Sequence, residues 1–381
     1  LDTFSIAFED LEFDESPFQQ QMADKLDTNH QVVYCTSADV GRVFPDVIWH
    51  TETPILRTSP APMFMLSKLV QDNNYKVVLT GEGADEILAG YNIFKETKVR
   101  RFWAKDPDSR LRPLLLRRLY PYISGLNDGQ GAYLTAFFGK GLSDTASPFY
   151  SHAIRWSNTA RIRRFLLRNQ PGPQKAHDWD SSPVPLPPHF ETWSPLAQAQ
   201  YLEMTVFMSQ YLLSSQGDRM LMAHSVEGRF PFLDHRVVEF CNSLPSAMKL
   251  RGLTEKWLLK QFGRQLVPAE IWQRPKQPYR APIHRSFFNR TAPDYVQELL
   301  SEPALRASSF FKPGAVARLV RKAQLQAGLS EVEGMALVGI LSTQLLHHHF
   351  VDFFQRASIE DNDRLKVVDW LSIGAEEPVP L

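Results

Sequence analysis

The run Leu79-Thr80-Gly81-Glu82-Gly83-Ala84-Asp85-Glu86-Ile87-Leu88-Ala89-Gly90-Tyr91 combines features that chemistry can use. Two glycines at the end of an apolar, strand-like stretch let the backbone turn tightly and approach a ligand. Glu82, Asp85 and Glu86 crowd three carboxylates into five residues, and they repel one another unless a cation or several donors offset them. A hard divalent ion held together with substrate phosphates would do so. An acidic helix start stabilised by the helix dipole explains the same residues without any chemistry.

A second segment, Arg274-Pro275-Lys276-Gln277-Pro278-Tyr279-Arg280-Ala281-Pro282, places a lysine between prolines. Fixed backbone dihedrals present its ammonium at low conformational cost, as a phosphoryl or acyl-phosphate transition state would require. A surface lysine in a stiff loop reads equally well. The third segment, Gly217 to His235, interleaves Asp218, Arg219, Glu227, Arg229 and Asp234 with apolar residues. Charges paired in a half-buried corner account for it, with Asp234 capping the next helix and Met220 and Met222 filling core. His347-His348-His349 lacks a cysteine or acid at ligand spacing and reads as a polar helix end. The GxGxxG, GxxxxGK[ST] and GxSxG patterns are absent from the sequence, so the kinase and hydrolase readings lose their support.

These residues need elements to position them. Strands are expected at residues 3–8, Gln31–Cys35 and Lys76–Thr80, alternating with helices at Ser16–Leu26, Ala38–His50 and Pro62–Asn73. That alternation predicts βαβ units and a parallel sheet with functional loops at strand C-termini, the first such loop following Val77-Val78-Leu79. From Lys98 to about Arg168 the pattern turns helical and arginine-rich, with Arg100, Arg101, Arg110, Arg112, Arg117 and Arg118. A solvated helix face is the reading adopted there; a phosphate- or RNA-binding patch is the alternative. Seven prolines between Pro171 and Pro195 mark an extended connection. Helices are then expected at Pro195–Ser214, Asp234–Ser243, Thr254–Gln265, Gly314–Gln326 and Glu331–Ala357, and a frayed end from Gly374.

Composition bounds the function. Lys+Arg and Asp+Glu both number 42 in 381 residues, which gives no bulk reason for nucleic acid or an anionic membrane as partner. No apolar run approaches the ~20 residues of a membrane span. Cys35 and Cys241 alone exclude a disulfide framework and a four-ligand zinc cluster, and fit a reducing cytoplasm. Leu1 opens directly on a strand-like run, which suggests a chain truncated before it.

In register, the three segments closely resemble the synthetase domain of glutamine-hydrolysing asparagine synthetases, in order and spacing from Phe4 to about Phe350. The resemblance implies an α/β fold: a HUP-type ATP pyrophosphatase parallel sheet, incomplete at its N-terminus, with a mostly helical C-terminal extension. The corresponding divisions are 1–97 for the α/β core, 98–194 for the arginine-rich insertion and proline-rich connection, 195–357 for the helical part completing the site, and 358–381 for a tail. In the family, the side-chain carboxylate of aspartate attacks the α-phosphate of ATP, giving β-aspartyl-AMP and pyrophosphate, and ammonia from glutamine displaces AMP. The resemblance carries roles onto this chain. Asp85 would help hold Mg²⁺ on the pyrophosphate, Glu82 would line the aspartyl-adenylate pocket, and Lys276 would stabilise charge on the α-phosphate. Thr80, where the family usually has Ser, and Gly81 would lie beside the adenylate, Tyr91 would close the loop, and the backbone of Ser5 and Ile6 would meet the adenine. Asp218 and Arg229 would order the site.

Two departures stand out. The family's SGGxDS loop should lie one strand and one helix before Phe4, and the glutaminase domain with its terminal cysteine should precede that. Neither occurs here. The chain is therefore expected to be a piece of a longer protein, or to depend on a separately encoded glutaminase half; a homodimer is allowed. Within the class, the alternatives are amidotransferases or β-lactam and macrolactam synthetases acting on another carboxylate. Outside it, the alternative is a non-catalytic remnant serving as an assembly module.

Overall fold

The computed structural model describes residues 1–9, 14–120, 130–167, 184–276, 283–288, 292–325 and 329–354. The fold is mixed α/β and mostly helical. Strand β1 (Asp2–Phe8) pairs in parallel with β2 (Asn29–Cys35), Ser5 lying opposite Val32. Helix α1 (Ser16–Leu26) connects them. Asp14 starts α1 by accepting from the Ser16 amide at 3.3 Å, and Asp27 ends it in the left-handed region at φ 49°.

Helix α2 (Ser37–Thr51) opens with a reciprocal cap. The Asp39 amide donates to Thr36 Oγ1 and the Thr36 amide to Asp39 Oδ2, both at 3.1 Å, so two otherwise orphaned donors are satisfied. Its apolar face, with Val40, Phe44, Val47 and Ile48, packs against Ala336, Leu337, Ile340 and Leu341 of the helix Glu331–His347. This is the largest core, and the helix expected from Glu331 onward lies buried in it. Among the described residues no helix is long and apolar enough to cross a membrane.

Helix α3 (Pro60–Asp72) leads to β3 (Val77–Leu79), which pairs in parallel with β4 (Glu227–Arg229). The described strands thus form two separate parallel pairs. A cluster of Phe4, Val70, Val78, Leu221 and Val226 lies between them, and the Phe4 ring meets Tyr75 edge-on at 5.3 Å. The sequence reading missed β4 because Glu-Gly-Arg has neither β-branched residues nor apolar alternation; tertiary pairing makes it a strand. Of the two methionines assigned to core, Met220 is fully buried but Met222 is 71% exposed. The helix Pro195–Leu202 continues as a wider π-type helix, Glu203–Asp218, past the expected end at Ser214.

The solvated-face reading fails at Arg100, which sits on α5 (Asn92–Ala104) and is 3% exposed. Its guanidinium donates to the carbonyls of Phe138, Tyr150, Lys140 and Gly141 at 2.9–3.3 Å. The fixed fork of donors satisfies a run of loop carbonyls that no helix or strand would satisfy. Arg101 likewise donates to the Thr145 carbonyl at 3.0 Å, and Arg155 pairs with Glu96 at 2.5 Å. Val99, Trp103, Leu116, Leu119, Phe138, Leu142 and Ile154 form a second core around them.

Candidate functional site

The end of β3 delivers the chain into the glycine loop. The Thr80 amide donates to the Arg229 carbonyl at 3.0 Å, so β4 fixes the point where the loop departs. The Thr80 hydroxyl is buried without a hydrogen-bond partner among the described residues, an unusual state for a buried polar atom. Gly83 turns the chain at φ 91°, and a Cβ there would lie 2.2 Å from Leu233 Cδ2. Gly83→Ala is therefore expected to lower the melting temperature by several degrees, from both the left-handed backbone and the clash; an unchanged melting curve would contradict this packing.

After Gly83 comes a single helical turn, α4 (Ala84–Ile87), carrying Asp85 and Glu86 as expected. Gly90 closes the loop against it, its amide donating to the Asp85 carbonyl at 2.7 Å. A Cβ on Gly90 would fall 1.8 Å from Asp85 Oδ1, so only glycine leaves that carboxylate in place. Ala89, next to it, is held at φ 58°, a conformation costly for a residue with a side chain.

Two cations from distant sequence converge on Asp85. Lys276 Nζ lies 3.2 Å from Oδ2, and Lys256 Nζ lies 2.9 Å from Oδ1. Burial alone would raise the Asp85 pKa, but Lys276 and Lys256 together hold it below the usual carboxylate value. Glu82 responds in the opposite sense: burial pushes its pKa up against the attraction of Lys276, and Asp85 adds to the rise. Lys276 also lies 5.9 Å from the centre of the Tyr91 ring. The Tyr91 hydroxyl donates to Glu86 Oε1 at 2.9 Å, and burial raises the pKa of the Glu86 carboxyl to about 7. The crowded carboxylates are thus offset by the protein's own lysines and a tyrosine hydroxyl.

These directions give a test that needs no turnover. In carboxyl-carbon NMR titrations, Lys276→Met is expected to raise the Glu82 pKa further, because a cation favouring its ionised form is gone. Asp85→Asn is expected to lower it, because a like charge is gone. Shifts of the opposite sign would separate Glu82 from this cluster.

Lys256 and Glu255 were missed because Thr254–Gln265 reads as an ordinary helix. The helix is shorter, Trp257–Gly263, and Lys256 stands before it at φ 47°. Its amide donates to the Leu88 carbonyl at 3.2 Å. A charged pair immediately before an apolar helical run was the available signal. Gln200, buried, donates to the carbonyls of Glu86 and Ile87 at 2.6 and 2.9 Å, and accepts from Lys249 at 3.1 Å, supporting α4 from behind.

The remaining sequence candidates are placed differently. Ser5 and Ile6 lie on the other strand pair. Ser5 Oγ is 2.9 Å from His30 Nε2, and the Ile6 carbonyl accepts from Gln19 at 3.1 Å. Ser5 lines a cavity of about 330 Å³ with Phe18, Met22 and Arg274. Gly81 is exposed with open space around it. Arg229 supports the loop through its carbonyl while its side chain pairs with Glu227 at 2.7 Å. Asp218 is exposed at the end of the π-type helix. Gln277 to Pro282, the rest of the proline-bounded lysine loop, lies outside the described residues.

Residues 1–348 match the family described as asparagine synthase. The chain belongs to that family. Among individual relatives of this asparagine synthase family member, a provisionally named glutamine-hydrolysing asparagine synthetase of Mycobacterium tuberculosis is 27% identical over 74% of this chain and 41% of its own length. A Penicillium rubens protein named amidase chyE is 27% identical over 73% of this chain and 43% of its own. Asparagine synthetase 1 of Bacillus subtilis, also of the glutamine-hydrolysing kind, is 24% identical over 79% and 45%. The chain thus spans less than half the length of these relatives.

Proposed function

We propose that this chain is the synthetase portion of an ATP-dependent amide-forming ligase that converts aspartate to asparagine through β-aspartyl-AMP, using ammonia from glutamine supplied by a glutaminase half. The observation that carries the reading is the convergence of Lys276 and Lys256 on Asp85, beside a half-buried carboxyl, Glu82, and a hydroxyl, Thr80, unpartnered among the described residues. Two ammonium groups in one half-buried place suit a substrate carrying several negative charges. We also propose that the two parallel strand pairs are parts of one HUP-type sheet, a reading supported by the Phe4–Val78 cluster between them. Two free, buried thiols suit a reducing cytoplasm.

In the first step an aspartate carboxylate oxygen attacks the α-phosphorus, and the bond to the β-phosphate oxygen breaks to release pyrophosphate. Lys276 and Lys256 exchange Asp85 for phosphate oxygens and stabilise the charge that builds there. In the second step ammonia attacks the acyl carbon, and the bond to AMP breaks with its electron pair. Glu82, whose proton affinity burial raises, accepts a proton from the attacking nitrogen. The Thr80 hydroxyl and the Gly81 backbone face the adenylate, and Tyr91 walls the Lys276 side.

Magnesium fits this site in one way. Among the described residues no three His, Cys, Asp or Glu side chains gather as a metal cluster; Asp85 would contribute one ligand to an ion carried mainly by the phosphates. When bound, the ion would neutralise phosphate charge.

The test is pyrophosphate release by the full-length protein, with its glutaminase half, given ATP·Mg²⁺, ammonium and a panel of carboxylates. Release with aspartate is expected. Release only with another acid would replace aspartate, a substitution for which the amidase-named fungal relative speaks. No release and no ATP binding would favour an assembly module.

A further inference from the structure

We infer that Glu255 is the positioning residue that sets the Lys276 ammonium at Asp85, an inference that rests on the functional reading above. Its side chain is 3% exposed and collects three donors. Oε2 accepts from Lys95 Nζ at 3.1 Å, and Oε1 accepts from Lys260 Nζ at 2.9 Å and from the Lys276 amide at 3.1 Å. Lys260 Nζ also donates to the Arg274 carbonyl at 3.0 Å.

The loop Arg274-Pro275-Lys276 is therefore fastened at both ends to one carboxylate–ammonium pair. Pro275 has no amide hydrogen, so the Lys276 amide is the first donor after Arg274 that can anchor the loop. The residue after Glu255, Lys256, is tied by its amide to the Leu88 carbonyl at 3.2 Å and sends its ammonium to Asp85. The two cations are thus positioned by different routes: Glu255 holds the main chain from which the Lys276 side chain departs, and the Leu88 carbonyl holds that of Lys256.

The chemistry of the group suits this role. Against the cost of burial, Lys95 and Lys260 hold the Glu255 pKa at about 2, so it remains an acceptor throughout the working range. Two ammonium groups on one carboxylate leave it no open side, and neither Lys95 nor Lys260 touches Asp85 through any ion pair among the described residues. A misplacement of about 1 Å in a charged group can cost on the order of a hundredfold in rate, which is the scale on which such an anchor matters.

The experiment uses the full-length protein with its glutaminase half, in the variants Glu255→Gln and Glu255→Asp. Glutamine removes the charge and leaves two lysines uncompensated, so it can unfold the region. Aspartate keeps the charge and withdraws it by one methylene from the Lys276 amide, and carries the test if the glutamine variant does not fold. In Glu255→Asp, hydrogen exchange at the Lys276 amide is expected to quicken at least about tenfold, while the Thr80 amide, bonded to Arg229, exchanges as before. The kcat for pyrophosphate release is expected to fall about tenfold, with KM for ATP changed less than about threefold. In a Lys276→Ala background the same Glu255→Asp change is expected to add less than about twofold. Unchanged exchange at Lys276 would overturn the proposal, as would an undiminished loss in the Lys276→Ala background. Faster exchange in a protein that releases no pyrophosphate even as wild type would sink the ligase reading and leave the anchoring of the loop standing.

Discussion

Replacing Lys276 with alanine is expected to cut adenylate formation, read as pyrophosphate release, by about a hundredfold or more while ATP binding changes only a few-fold. The asymmetry follows from the geometry. In the free protein the ammonium is already partnered by Asp85 at 3.2 Å and lies over the Tyr91 ring, so meeting a ground-state phosphate exchanges one anion for another with little net gain. Charge building on the α-phosphate during attack is new, and stabilising it is where a held cation contributes most. Lys256, at the other Asp85 oxygen, remains to bind the nucleotide. Equal losses in binding and turnover, measured by calorimetry and stopped assays, would place Lys276 in ground-state binding and remove it from the chemistry.

Asp85→Asn is expected to lose activity to a similar degree and also to destabilise the protein, which Lys276→Ala should do less. The amide can pair with neither ammonium as a charge, leaving two cations close together around a side chain only 16% exposed. Breaking a buried pair by removing one partner costs about 3–5 kcal/mol, and partial exposure here reduces that to about 1–3 kcal/mol, a drop of several degrees in melting temperature for a chain of this size. Adding Lys256→Met to Asp85→Asn is expected to restore part of the melting temperature without restoring activity. A melting curve unmoved by Asp85→Asn would mean that the cations are held by something other than this carboxylate.

Much of this was legible before any coordinates. Spacing located α1 at its observed limits and β1, β2, α2 and α3 to within a few residues, because apolar periodicity, caps and prolines mark such elements locally. The glycines of the loop and the proline-bounded lysine marked Asp85 and Lys276 as candidates, and the resemblance assigned both to one nucleotide; in the structure they pair with each other at 3.2 Å. What local pattern does not carry is pairing between distant segments. Strand β4 exists only because β3 lies beside it. Arg100 reads as a surface charge until the loop carbonyls that surround it are known. Glu255 and Lys256 look like an ordinary helix start, and their meaning comes from Asp85, roughly 170 residues away in sequence and in direct contact in space. The lost information is long-range: which buried charge answers which.

Helix α5 starts one residue after Tyr91 and carries Lys95 to Glu255, Glu96 to Arg155 and Arg100 to the carbonyls of Phe138 and Tyr150. Thirteen residues at about 1.5 Å each make a rod of about 20 Å, pinned by buried polar groups near both ends. One continuous helix thus joins the carbonyl cage around Arg100 to the lysine that holds Glu255, and through Glu255 to the main chain of Lys276.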